Sequence, residues 1–210
     1  MYVPAHFDAS DRAFCHELIH AYPFAPITTV TASGDLLASH LPFLLDEDRG
    51  PLGTLIGHVA RNSPHHGELA RGTTALVAFT GPHAYVSPTW YETHPAVPTW
   101  NYCIVHAYGV ARMLDEETTR TYVDRLAQRF EGTSKTAWRF DALPSEYQNK
   151  MVRALVAFEI EIARLEGKAK LTQNRSATDI ANVIAALQAS GDHDQVALAQ
   201  WMQRSRHRRG

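Results

Sequence analysis

Short runs in which apolar and polar residues alternate fill the first part of the chain, and this period of two is typical of half-buried strands. The pattern predicts strands at residues 25–31, 36–45 and 54–60, separated by polar turns that contain Gly or Pro. Pro42 lies inside the second run and indicates an edge strand or a bulge there. We therefore expect residues 25–60 to form a meander of antiparallel strands, as at the start of many barrels and sandwiches.

A second set of segments carries apolar residues at helical spacing. These segments are residues 10–21, 116–131, 145–155, a stretch capped by Ser176 or Thr178, and a stretch after Gly191. Strand-like runs return at residues 73–80, 100–114 and 156–162; Gly109 interrupts the second, and Leu165 predicts a bulge or turn after the third. Strands that come first and helices that are interleaved later predict an α+β fold centred on an antiparallel β-barrel.

Residues 79–109 have the most distinctive composition in the chain. They hold two of the four Trp, four of the eight Tyr and four Pro, and strand-like runs flank them. Such a connection predicts a loop that presents side chains to a ligand, although aromatic residues of this kind also cap cores. The hydroxyl, indole and amide groups that favour a planar, polar ligand belong to Ser87, Thr89, Trp90, Trp100 and Asn101.

The composition fits one large domain and narrows the class of protein. The chain has 210 residues, 45% of them hydrophobic, and a formal net charge of −2. No run approaches the roughly 18 apolar residues of a membrane span and no secretory signal is visible, so we expect a cytoplasmic protein with no membrane partner. The two cysteines, Cys15 and Cys103, fit a reducing compartment. We expect a barrel domain over residues 1–190 and a C-terminal helix with a basic tail over residues 191–210.

Metal and nucleophile chemistry have weak support in the sequence. The chain has 12 His, but nothing in their spacing predicts that they converge on a metal. Cys103 lies in an apolar run, which is typical of an inert buried thiol. Glu159 and Glu161 share one face of a predicted strand; they could form an acid–base pair, but a solvated face or pairing with Arg or Lys is the commoner arrangement.

Two basic clusters are candidates for anion binding. Arg61 and Asn62 come directly after the strand at residues 54–60, where Arg61 could hold a phosphate beside backbone N–H groups or pair with a surface carboxylate. The second cluster consists of Lys168, Lys170, Gln173 and Asn174. Its lysines would share one face of a strand, and its amides could bind the oxygens of a heterocycle or a ribityl chain.

Four long blocks of sequence occur in a fixed order along the chain. They are GHVARNSP, GPHAYVSPTWY, VPTWNYCIVHAYG and FEIEIARLEGKAKLTQNR. In this order the blocks resemble the PaiB family of FMN-binding negative transcriptional regulators, and the resemblance covers nearly the whole chain, up to about Leu187. The resemblance implies a split β-barrel with flanking helices, of the kind shared by flavin reductases and pyridoxamine-phosphate oxidases. It also implies a homodimer with FMN in a groove between subunits.

The resemblance further implies positions for the cofactor. The first block falls where those oxidases bind the flavin phosphate, which implies Arg61 and Asn62 there, with His58 close by. The third block falls where a strand approaches the flavin ring, and His40 would flank the same groove. The residues implied near the ring are Thr99, Trp100 and Asn101.

Three features depart from the family pattern. Ala169 stands between the two lysines, and His65 with His66 follows the phosphate segment, where the family often carries aromatic side chains. The loop between Tyr91 and Val97 is also shorter and lacks a lysine. The loss of two flat side chains weakens flavin stacking more than it affects the fold.

The resemblance implies a transcriptional regulator, although no helix-turn-helix on a basic face is visible. The alternatives are a flavin-dependent oxidoreductase, with hydride chemistry that belongs to the cofactor, or simple flavin or haem sequestration. A further basic cluster, RSRHRRG at residues 204–210, is either a DNA contact or a solvated tail. We therefore expect an FMN-binding homodimer, with DNA as a further partner only if this tail binds it.

Overall fold

The computed structural model describes residues 1–132, 134 and 137–207; for residues 206 and 207 it describes only the backbone. These residues form seven strands and six α-helices. The strands are β1 (Phe24–Val30), β2 (Leu36–Pro42), β3 (Leu44–Asp46), β4 (Thr54–Ala60), β5 (Thr74–Val86), β6 (Thr99–Met113) and β7 (Leu155–Lys170). The helices are α1 (Arg12–Ala21), α2 (Pro64–Ala70), α3 (Glu116–Glu131), α4 (Ser145–Ala154), α5 (Ala177–Ala189) and α6 (His193–His207).

The chain divides into two compact units, each built from segments that are distant in sequence. The terminal unit comprises Met1–Ala21, Thr80–Val105 and Glu166–Gly210. The central unit comprises Tyr22–Phe79 and His106–Leu165.

The strands form one sheet with the order β2-β1-β5-β6-β7-β4-β3. In the antiparallel β1–β2 hairpin Val30 lies opposite Leu36, and in the antiparallel β3–β4 hairpin Asp46 lies opposite Thr54. The predicted meander over residues 25–60 is wrong, because these two hairpins lie at opposite ends of the strand order. The three long strands come between them, and pairing over such sequence distances leaves no trace in a local alternation of polar and apolar residues.

Helix α3 packs on the sheet within the central unit and has the predicted bounds. Asp115 caps its first turn, since the carboxylate accepts a backbone N–H at 2.8 Å. Tyr122 is buried against Ile56 and Ala157, which places the apolar stripe of the helix on β4 and β7. Gly109 does not interrupt β6; an added Cβ would lie 2.3 Å from the carbonyl oxygen of Glu161, so the strands approach closely only because this residue is Gly.

Two strands are longer than their sequence pattern predicts. Strand β5 continues to Val86; burial alternates from Ala75 to Gly81 and, after a shift of one residue, alternates again from Pro82 to Val86. Gly81 resembles a loop residue in the sequence, yet it lies in this strand, where an added Cβ would be 2.7 Å from Leu18 Cδ1. The connection from β5 to β6 is therefore limited to residues 87–98.

Strand β7 exceeds the predicted strand at residues 156–162 and continues to Lys170, and its burial pattern shifts by one residue between Ile162 and Gly167, so of the predicted bulge or turn near Leu165 the chain does not form the turn. Within the terminal unit, Lys168 forms a bridge with Asp8, and the backbone N–H of Ala9 donates to the Gly167 carbonyl at 3.1 Å. This N-terminal segment supplies the partner for the end of β7, and the local pattern does not show it.

The last two helices belong to the terminal unit. Ser176 caps α5, as the sequence predicts, by accepting the N–H of Asp179 at 3.1 Å. Helix α6 continues to His207, and Arg204 donates to Glu17 at 2.6 Å, so the first arginine of the predicted tail is helical and paired. Residues 208–210 of that tail lie outside the described residues. Within the described residues no helix is long and apolar enough to cross a membrane.

Candidate functional site

The turn after β4 in the central unit holds the first predicted phosphate ligand. Arg61 and Asn62 are exposed, and Ser63 caps the short helix α2. The Arg61 guanidinium donates from Nε to the carbonyl of Arg153 at 2.8 Å and from Nη2 to that of Leu155 at 3.3 Å. These carbonyls lie at the C-terminal end of α4. Two of the five guanidinium N–H groups therefore bind backbone carbonyls of a helix end and not a surface carboxylate.

A buried imidazole lies close to this turn and is absent from the candidates that the sequence indicates. His65 is fully buried, with Nδ1 2.8 Å from the hydroxyl of Ser39 and Nε2 3.1 Å from that of Thr29. Burial lowers the pKa of His65, although Glu68 partly opposes the shift. In the sequence His65 appears only as a residue that follows the phosphate segment, and its partner Ser39 directly precedes the candidate His40.

The two predicted histidines of the central unit do not meet. His40 is exposed and stacks on Phe24 with ring centroids 6.2 Å apart. His58 is half-buried with Nδ1 3.4 Å from the Tyr122 hydroxyl, and burial lowers its pKa. Among the described residues no group of three His, Cys, Asp or Glu could hold a metal ion.

The terminal unit brings together four polar side chains from β6 and the end of β7. Asn101 is only 1% exposed and donates from Nδ2 to the Thr172 hydroxyl at 2.6 Å, while its Oδ1 is buried without a hydrogen-bond partner. Lys170 donates to the Thr99 hydroxyl. We call Thr99, Asn101, Lys170 and Thr172 the polar cluster. It contains a cation and a buried acceptor that has no partner among the described residues.

The other residues of the second basic cluster, Lys168, Gln173 and Asn174, differ in what they already bind. Lys168 is half-buried, donates to the Tyr2 carbonyl at 3.1 Å and lies 5.4 Å from the centre of the Tyr102 ring. The Gln173 amide closes its own turn, because it accepts the N–H of Leu171 at 2.6 Å and donates to a nearby backbone carbonyl. Asn174 is exposed. Of these residues, Lys168 and Asn174 are the more accessible to a ligand.

A buried carboxylate anchors the loop at residues 87–98. Asp179 near the start of α5 accepts the backbone N–H groups of Glu92 at 2.8 Å and Thr93 at 3.2 Å. Burial alone would raise the pKa of Asp179, but these N–H donors outweigh burial and lower it. Arg175 also lies 4.6 Å from the centre of the Tyr91 ring. The sequence shows Asp179 only as an acidic residue after a helix cap.

Aromatic residues of the terminal unit line an open groove of about 380 Å³. The residues that define this aromatic groove are His83, Tyr85, Trp90, Trp100, Asp192 and Asp194. Trp90 and Trp100 both line this groove. Trp100, however, is exposed and points away from its buried neighbour Asn101 on β6, because successive strand residues face opposite ways. Ser87 caps the short 3-10 helix Pro88–Trp90 by accepting the Thr89 N–H at 3.2 Å.

The other groups considered from the sequence have structural roles. Burial raises the pKa of both thiols, Cys15 and Cys103, to about 12, so neither is a nucleophile at neutral pH. Glu159 is buried and pairs with Arg49 at 2.7 Å and Arg112 at 3.4 Å, which confirms pairing over acid–base chemistry for this carboxylate.

Comparison with known proteins connects this fold to a family. Residues 1–164 match the family model described as "Putative FMN-binding domain". The chain belongs to this family. A relative of this FMN-binding domain protein is protease synthase and sporulation protein PAI 2 of Bacillus subtilis strain 168, which is 30% identical over 203 residues, or 97% of each chain. The predicted PaiB-family resemblance is confirmed.

Solved structures confirm the predicted split-barrel fold of the FMN-binding domain. The FAD and haem binding protein of Mycobacterium smegmatis superposes with a TM-score of 0.62 at 21% identity, over 83% of this chain and 78% of that one. Flavocytochrome Anf3 of Azotobacter vinelandii superposes with a TM-score of 0.61 at 14% identity, over 86% and 78% of the two chains. At these identities the likeness concerns the fold alone.

Proposed function

We propose that this protein binds FMN and acts as a flavin-responsive regulator rather than as a catalyst. The observation that carries FMN binding is the family match, which spans residues 1–164 and includes the Arg61 turn. The name of the relative PAI 2 contains the words protease synthase and sporulation, and sporulation is a controlled programme rather than a single reaction. When bound, FMN would supply electron and hydride transfer, so a redox-sensing role needs no catalytic residue from this chain.

The donors in the chain have the chemistry that FMN requires. A phosphate needs cationic donors, and Arg61 in the central unit or the pair Lys168 and Lys170 in the terminal unit can supply them. A flavin ring presents an N–H to an acceptor, and the buried Asn101 Oδ1 is an acceptor that has no partner among the described residues. We propose Arg61 and Asn62 as the phosphate ligands, with the two lysines as the competing assignment.

Substitution of Arg61 tests the phosphate assignment. Arg61→Ala should weaken FMN binding by about 1.5–3 kcal/mol, the usual range for a charged hydrogen bond, in a titration that follows flavin fluorescence. The matched control is Arg120→Ala, because Arg120 also holds α4, through Gln148 at 3.0 Å, and has no proposed flavin role. Unchanged affinity in Arg61→Ala, with a loss in Lys168→Ala/Lys170→Ala, would move the phosphate to the terminal unit.

Turnover of a nicotinamide cofactor separates the regulator from an oxidoreductase. The FMN-loaded protein is mixed with NADH or NADPH under air, and oxidation is followed by absorbance. We expect no steady oxidation above the rate of free FMN. Turnover at ordinary enzyme rates of ~1 per second or more would contradict the proposed regulator and assign the protein as an oxidoreductase.

We propose that the protein is a homodimer that associates through the non-core face of β1 and β2. Phe24, Val30 and Leu36 share this face by strand register and are 64%, 49% and 76% exposed. The face contains no Asp, Glu, Lys or Arg: its other members are Pro26, Thr28, Ala38, His40 and Pro42. An uncharged, exposed apolar sheet face of this kind is typical of a protein interface.

Sedimentation of single variants tests the dimer. The wild-type protein should sediment as a dimer at micromolar concentration, and Leu36→Asp should convert it to a monomer by placing a charge in the buried interface. Phe130→Asp is the matched control, since Phe130 is also 58% exposed but lies on α3. A wild-type monomer, or equal dissociation in both variants, would contradict this interface.

A further inference from the structure

The aromatic groove carries chemistry that phosphate binding does not use. Trp100 is 53% exposed and Tyr85 is 45% exposed, although large aromatic side chains normally bury most of their surface. Single exposed aromatics are ordinary, whereas a cluster that lines a concave surface marks a binding site. The volume of about 380 Å³ suits a small molecule.

The rings in this groove are arranged as walls rather than as a stack. The Tyr85 ring stands at 78° to the Trp100 indole, with centroids 6.2 Å apart. The His83 ring is tilted by 31° to the same indole at 6.2 Å. Aromatic faces carry negative electrostatic potential, so a corner of this kind attracts a cation.

The charged residues of the groove have the same sign. Of the described residues that line it, Asp192 and Asp194 are the charged ones, and both lie at the start of α6. Asp192 Oδ1 accepts the N–H of Gln195 at 2.9 Å and so caps the helix. The helix terminus contributes about half a positive charge, which two carboxylates exceed, so the groove is negative overall.

We propose that the aromatic groove binds a small organic cation whose charge lies on an alkylated ammonium group. Such a group is held by ring faces and by nearby negative charge, and it has no N–H that needs an acceptor. This matches a groove in which Asp192 already accepts a hydrogen bond from its own helix. The anionic phosphate of FMN would be repelled here, so Trp90 and Trp100 acquire a role other than the flavin contact predicted from the sequence.

Choline and its neutral isostere, in which carbon replaces the charged nitrogen, test the proposal on the full-length protein by calorimetry. We expect choline to bind about tenfold more tightly than the isostere, and to weaken with added salt. Trp100→Leu should lower choline affinity by about tenfold, because a wall of the groove is lost. The matched control is Trp138→Leu, since Trp138 is 48% exposed but lies in the central unit.

A charge-neutralising pair of substitutions separates attraction from folding. Asp192→Asn with Asp194→Asn removes both charges, yet Asn caps helices as well as Asp does, so the melting temperature should change little. Choline affinity should fall several-fold in this variant, and its salt dependence should disappear. Equal binding of choline and the isostere, equal losses in Trp100→Leu and Trp138→Leu, or displacement of choline by FMN would each overturn the proposal.

Discussion

At the scale of single residues, His65 shows how a buried polar group is held without an ion pair. A neutral imidazole has one donor and one acceptor nitrogen, and the hydroxyls of Ser39 and Thr29 can each take either role. The neutral ring is therefore satisfied, whereas a protonated ring would be a buried charge. This difference lowers the pKa of His65 and makes it a pH-dependent contributor to stability.

The stability of the protein should consequently fall as the pH falls below ~6.5, the ordinary His pKa, because the unfolded chain then takes up a proton that the folded His65 resists. His65→Gln should cost ~1–3 kcal/mol at neutral pH by disturbing the two hydroxyl contacts, and should show a smaller fall between about pH 7 and pH 5. Urea unfolding at several pH values measures both effects. The control is His193→Gln, since the His193 side chain is 97% exposed; the same pH dependence in wild type and His65→Gln would refute this role.

The chemical type of a candidate residue could be predicted from the sequence better than its partner could. Arg61 and the lysines of β7 were identified as cationic and accessible from their positions beside predicted strands. The carbonyl that Arg61 binds belongs to Arg153, 92 positions away, and no local pattern indicates such a pairing. Asn101 illustrates the same limit, because the hydroxyl to which it donates belongs to Thr172, 71 positions away.

At the scale of elements, the loop at residues 87–98 is ordered by a helix that follows much later in the chain. Two backbone N–H groups of the loop donate to Asp179, and Arg175 covers the ring of Tyr91. A loop with exposed polar groups needs such anchors to present its side chains in one arrangement. The start of α5 therefore determines where the Trp90 wall of the aromatic groove lies.

Asp179→Asn should loosen this loop while the rest of the fold is retained. The carboxylate with a lowered pKa contributes stability that is present above about pH 3.9 and is lost as the pH falls through its folded-state pKa. Amide hydrogen exchange at Glu92 and Thr93 should accelerate by roughly tenfold or more in the variant at neutral pH, and the difference should vanish at low pH. Glu92→Gln is the control, because it retains the backbone N–H; equal exchange in all three proteins would show that Asp179 does not anchor the loop.

Element type followed from local periodicity, but element length and neighbours did not. Helix α3 and strand β4 have their predicted bounds because Asp115 and Gly132 mark the two ends of the helix, and polar turn residues flank the strand. Strand β5 exceeds its predicted bounds because Gly81, at a close approach, resembles a turn residue in the sequence, and β7 exceeds them because the break in alternation at Leu165 does not end the strand. Residues 25–60 were predicted as three strands of one meander, whereas the predicted strand at residues 36–45 is divided into β2 and β3, which belong to two hairpins at opposite ends of the strand order.

At the scale of the whole molecule, the charge distribution limits how the protein could contact DNA. The formal net charge is −2, so a DNA-binding surface must concentrate positive charge in one place. The basic C-terminal stretch is the candidate, but Arg204 already pairs with Glu17 and covers the ring of Trp201 at 4.5 Å. The arginines left to contact phosphates are Arg206, Arg208 and Arg209, and a dimer would present two such sets.

Truncation after Ser205 tests whether these arginines give the regulator its DNA affinity. If they do, affinity should fall with salt at about 0.9 log unit per log unit of salt for each phosphate neutralised, and removal of residues 206–210 should flatten that slope. Flavin binding should not change, because the truncation retains Arg204 and its ion pair with Glu17.

Arg204→Gln is the matched control: it removes an arginine that is already paired, so the slope should stay close to that of the wild-type protein. Gel-shift titrations at two salt concentrations measure the slopes. Equal slopes with and without residues 206–210 would exclude the tail as the DNA contact, and no retention at low salt would contradict direct DNA binding by this protein.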